Sequence, residues 1–178
     1  MTWQTYHHRG AILRSVIATA DLRQDGLLPM DVDGVAETFR DELDLLGALQ
    51  LRWHTRLGGN IEHLLTAEPM DLERRVALAW KATADDLPGV RRILDHYREH
   101  PVDDAMARAM AKATAKEHCF LAVMAGRAGV GDQRAARVGA RIEEEGRRLR
   151  ETAAPVAAAE PAPKRAGLLD RLRAVVAA

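Results

Sequence analysis

Cysteine is almost missing from this chain: Cys119 stands alone. An intrachain disulfide is therefore impossible, and a zinc site built on several thiolates is excluded. Serine is as scarce, with Ser15 between Arg14 and Val16 in a helical pattern. There is no Gly-x-Ser-x-Gly elbow to expose a nucleophile and no strand to carry one. Aromatic residues amount to 4%, so a core has to rest on Leu, Ala, Val, Ile and Met, a mixture suited to helix packing rather than sheet packing. An excess of one charge is missing too, since 26 basic residues meet 26 acidic ones. No global field then draws the protein to nucleic acid or to anionic lipid. No apolar run approaches the ~18 residues of a membrane span, and residues 1–10 are polar, so a cytoplasmic protein with neither span nor signal peptide is expected. No window alternates with period two, and no internal repeat is visible.

What the sequence does have is apolar residues at helical spacing. Its 178 residues, 47% of them apolar, allow one ordinary domain with appendages. A first helix is expected over residues 5–24, with Ile12, Leu13, Val16, Ile17 and Ala20 on one face and Asp25-Gly26 as its stop. A second is expected over residues 33–67. Its seam of Val35, Phe39, Leu43, Leu46, Trp53, Leu57, Ile61 and Leu64 is interrupted by Gln50, and Gly58-Gly59 is a candidate kink. At ~1.5 Å per residue such a helix reaches roughly 50 Å, more than one bundle is expected to cover, which argues for a homo-oligomer paired along the seam.

Further helices are expected over residues 71–86, 88–100 and from Asp103 or Asp104 to Gly126. The first of these turns Leu72, Val76, Ala79, Trp80 and Thr83 inward, the second Val90, Ile93, Leu94 and Tyr97, the third Met106, Met110, Ala113, Leu121 and Met124. Pro88 suits a first helical turn and Pro101 forces a stop. A last bundle helix over residues 132–152 has few apolar positions (Ala135, Val138, Ile142, Leu149) and is expected on the surface. The fold class is thus all-α, a bundle of five to six helices over residues 1–152.

Beyond the bundle the composition changes. Residues 153–166 form a Pro/Ala-rich spacer expected to be disordered, with three of the seven prolines. Residues 167–178 then turn amphipathic: Leu168, Leu169, Leu172, Val175 and Val176 share one helical face. So short a helix is marginal alone and orders on contact, which makes these five residues the candidate surface for a protein partner. Packing on the chain's own core is the plainer alternative, and a membrane-surface helix a weaker third.

No catalytic or cofactor-binding residue is assigned. Cys119 follows His118, but neighbours on a helix point apart, so Cys119 reads as a small buried hydrophobe. Gly126-Arg127-Ala128-Gly129-Val130-Gly131 lacks the lysine and hydroxyl of a P-loop and reads as an interhelical turn. His96 and His100 share a helical face, flanked by Asp95 and Glu99, and could both reach an ion; a solvated C-terminal turn explains them as well. His54, Glu62, His63, Glu117 and His118 are a second set, yet the Glu-x-x-His pairs of a ferritin-like di-iron bundle do not occur. No metal is therefore expected, with His54, His96, His100 and His118 as the weak candidates.

Basic clusters at His7, His8, Arg9 and Arg14, beside Trp3 and Tyr6, and at Arg147, Arg148 and Arg150, are the only hints of nucleic-acid binding. The second helix is too long for a helix-turn-helix unit, which disfavours that reading. Gln50 on the seam, with Asp44, Arg52 and His54 close in sequence, suits a register-setting role.

The stretches "YHHRGAILRSVIATADLRQDGLLPMD", "DELDLLGALQLRWHTRL" and "AKEHCFLAVMAGRAG" resemble an uncharacterised group of all-helical proteins from high-GC Gram-positive bacteria. The resemblance covers the first ~150 residues and implies a bacterial, cytoplasmic, all-helical protein, with no activity or site. The expected function is a non-enzymatic protein–protein interaction module, an adaptor, regulator or assembly subunit. A metal-binding or oxidative bundle and a DNA-linked regulator are the alternatives.

Overall fold

The computed structural model describes residues 3–67, 70–129 and 131–153. The linker and terminal helix expected beyond them, with Leu168, Leu169, Leu172, Val175 and Val176, lie outside the described residues. Among the described residues the chain is all-helical, with seven helices and no strand. They are α1 (Trp3–Arg23), α2 (Val35–Thr38), α3 (Glu42–Ala67), α4 (Leu72–Asp86), α5 (Pro88–Glu99), α6 (Asp104–Met124) and α7 (Ala135–Ala153).

Local chemistry sets most of the boundaries. Gly26, at φ 81°, turns the chain after α1 in a conformation open chiefly to glycine. The Asp71 carboxylate caps α4 by accepting from the Arg74 N–H at 3.3 Å, and Asp103 caps α6 through the Met106 N–H at 2.7 Å. Pro88 opens α5 in its first turn, with Leu87 as the single residue between α4 and α5.

The expected second helix is two elements. Phe39 is extended, at φ −116° and ψ 132°, and ends α2. Asp41 then restarts the chain by accepting the Asp44 N–H at 2.7 Å, while the Asp44 carboxylate accepts from the Arg40 N–H at 3.3 Å. These local bonds offer the backbone an alternative to one continuous helix. Gly58-Gly59 does not break α3.

The seam of α3 is covered within the chain: Leu46, Trp53, Leu57 and Ile61 are buried among the other helices. The expectation that it exceeds what one bundle can cover, and so calls for a second copy, loses its basis. α4 lies between α3 and α7, α6 packs along α7, and α1 lies on α5. Trp53 and Trp80 meet edge to face at the centre, 5.6 Å between ring centroids.

Two crossings depend on missing side chains. A Cβ on Gly89 would overlap the Ala20 backbone where α1 crosses α5, and one on Gly139 would overlap the His118 backbone where α6 meets α7. Gly146 lets α7 close on α4, since its Cβ would stand 2.8 Å from the Trp80 ring. Thus α7 is not the surface helix its thin apolar content suggests: it is held on two sides, with glycines at contact positions and Ala135 and Ile142 buried.

Candidate functional site

The bundle encloses charge. Arg91, Glu117 and Glu143 are 4%, 3% and 4% exposed, levels at which a charge needs partners. Glu117 falls on the inward face of α6, in the gap between Ala113 and Leu121, and accepts the Trp80 Nε1–H at 3.0 Å. Arg91 projects from α5 with its guanidinium 4.6 Å from the centre of the Trp53 ring and 5.8 Å from that of Trp80. It pairs with Asp95 at 2.9 Å and approaches Glu117 at 3.6 Å, a Coulomb contact rather than a hydrogen bond. Arg91 Nε and Nη1 have no hydrogen-bond partner among the described residues, and the indole faces stand in their place.

The network continues outward. Arg147 holds Asp95 with two nitrogens, at 3.0 and 2.6 Å, holds Glu143 at 2.6 Å, and covers the Trp80 ring at 4.9 Å. Arg98 reaches Glu143 at 3.1 Å and Asp95 at 3.4 Å. His118 Nε2 lies 2.7 Å from the Glu143 carboxylate. Burial alone would raise the Glu143 pKa, but the His118 hydrogen bond and the Arg98 and Arg147 charges outweigh it and hold the carboxyl well below its usual range. Asp95 is likewise held low, burial being outweighed by the Arg147 hydrogen bonds and the Arg91 charge. Arg147 is raised: its carboxylate partners overcome the cost of its burial. These carboxylates are kept ionised and fully engaged, a poor setting for proton transfer at neutral pH.

The histidines weighed as metal ligands are dispersed. His54 is half-buried on α3, its Nε2 3.3 Å from the Gln50 amide nitrogen. Burial pushes its pKa down, with Glu117 acting against that and Arg91 with it. His118 turns to Glu143 instead, so it and Glu117 point apart as neighbours on a helix do. His96 and His100 stack at the end of α5, 5.2 Å between ring centroids. Glu62 and His63 are exposed. Among the described residues no three His, Cys, Asp or Glu side chains form a group that could hold a metal ion.

Cys119 is exposed, which corrects the buried reading: with Glu117 facing the core, the position two residues on faces outward. The Gly126 segment is a turn after α6, with Gly126 at φ 66°. Arg9 is bound to the Thr38 carbonyl at 3.0 Å and to Asp44 at 3.1 Å and lies over Phe39. In the other basic cluster Arg148 pairs with Glu145 and Arg150 with Asp85. Most of the arginines read as basic patches are thus spent on carboxylates. Gln50 is half-buried, and its Oε1 has no hydrogen-bond partner among the described residues. Among those residues no helix is long and apolar enough to cross a membrane.

Sequence reasoning missed the network. The visible signal was an acid on an apolar helical face at Glu117, and the adjacency of Ile142 and Glu143.

Comparison with known proteins gives no match: no family model, no curated protein and no solved structure is significantly similar to this chain.

Proposed function

We propose that the protein is a non-enzymatic interaction module of the bacterial cytoplasm, in which the helical bundle is a rigid carrier and the face of Leu168, Leu169, Leu172, Val175 and Val176 engages a protein partner. One observation supports the carrier role above the others: the buried acids and arginines are closed on one another. Glu143 is bound by His118, Arg98 and Arg147 at once, and Asp95 by Arg91, Arg98 and Arg147. Groups held so tightly specify a packing and offer a substrate nothing. The docking role rests on the spacing of the five terminal residues and on the Pro/Ala-rich composition before them. A homo-oligomer would have to use a surface other than the α3 seam, which the chain's own core occupies.

The test compares full-length protein with a chain lacking residues 166–178 as bait in the native cell. Capture of a partner by the first and not the second supports the proposal; equal capture by both opposes it.

A further inference from the structure

We propose that the cleft between the start of α4 and the middle of α7 binds a small ligand carrying two oxyanion groups, held between Arg74 and Arg141. The cleft measures about 350 Å³, and its lining includes the buried Ala77 and Ile142. It opens beside the close approach of Gly146 to the Ala77 carbonyl, the point that pins α7 to α4. The volume falls at the small end of the ~300–1,000 Å³ typical of ligand pockets, which suits a ligand of metabolite size.

The charges in its walls are not equivalent. Two of the three lining carboxylates are paired with arginines, Glu73 with Arg127 at 2.6 Å and Glu145 with Arg148, while Asp71 caps α4 through the Arg74 backbone N–H. Arg74, from α4, and Arg141, from α7, line the same cleft, and neither forms a salt bridge with a carboxylate among the described residues. One unpaired arginine from each of the two helices matches two oxyanions, because a guanidinium binds carboxylate or phosphate through paired N–H donors. The apolar Ala77 and Ile142 suit the short spine joining the two anionic groups. None of Arg91, Asp95, Arg98, Glu117, Glu143 and Arg147 lines the cleft.

Inorganic pyrophosphate and citrate are the probes, titrated calorimetrically into the full chain at low ionic strength. Saturable one-to-one binding of either supports the site, with affinity falling about tenfold or more in both Arg74→Gln and Arg141→Gln. Binding of pyrophosphate alone assigns a phosphate-type ligand, and of citrate alone a carboxylate one. Arg52→Gln, an exposed position on α3 outside the cleft, leaves the affinity unchanged. Both replaced cleft arginines are exposed, so the variants keep the wild-type melting temperature. Two results would overturn the proposal: no saturable heat from either probe at about 10 mM, in the weak-binding range, or an equal loss of affinity in Arg52→Gln.

Discussion

The Arg91 guanidinium lies 4.6 Å from the centre of the Trp53 ring and 2.9 Å from the Asp95 carboxylate, so one buried cation joins the aromatic centre of the bundle to its ionic network. Arg91→Ala removes the cation and leaves Glu117 with the Trp80 N–H alone. Breaking a buried pair in this way costs about 3–5 kcal/mol. Denaturant unfolding should show that loss, together with a change in tryptophan emission as Trp53 loses its cover. A loss under about 1 kcal/mol would mean that the network is a surface-like ion cluster.

The glycines sort into two kinds with opposite predicted signs. Gly139→Ala drives a methyl into the His118 backbone, which cannot swing aside as a side chain could, and should cost about 3 kcal/mol or more. Gly47 and Gly59, within α3, have no atom near the Cβ position. Alanine at either should stabilise by roughly 0.5–1 kcal/mol, the helical preference of alanine over glycine. Urea midpoints of the three single variants check both signs.

Stability should fall in two stages with acid. The folded pKa of His54 is lowered by burial from 6.5. Its contribution is therefore complete above the unfolded value and is lost as pH drops below it. Asp95 and Glu143 are lowered from 3.8 and 4.5, so their contributions are complete above about pH 5 and are lost as pH falls further toward their folded values. Urea midpoints at about pH 8, 5.5 and 3.5 should fall in that order, the last step being the larger and shrinking in Glu143→Gln. A midpoint that rises toward pH 3.5 would contradict the assignment.

Cys119 should react in the folded protein. An exposed thiol on α6 is open to a disulfide reagent without denaturant, and one equivalent should titrate at native pH. A thiol that reacts only after unfolding would restore the buried reading.

How much of this was legible depends on which pattern a residue obeys. Val90, Ile93, Leu94 and Tyr97 follow helical period between two prolines, and all four are buried on α5. Phe39 also keeps the period, yet it is extended, because the Asp41 and Asp44 caps act locally and periodicity does not register them. Gly139 and Gly146 are the means by which α7 packs closely, which one strand of sequence cannot reveal without the facing helix. Most of the charged network was hidden for the same reason: Glu117 does stand on an apolar face of α6, but Asp95 and Arg147 meet across two helices and look solvent-facing when each helix is read alone.

The central claim, a rigid bundle carrying a separate partner-binding face, is tested most directly with a Leu169→Asp, Leu172→Asp double variant of the full chain. Melting temperature and capture from the native cell are measured side by side with the wild type. The account predicts an unchanged melting temperature and loss of the captured partner. A melting temperature lower by several degrees with the same captured proteins would contradict it, showing that the face belongs to the core.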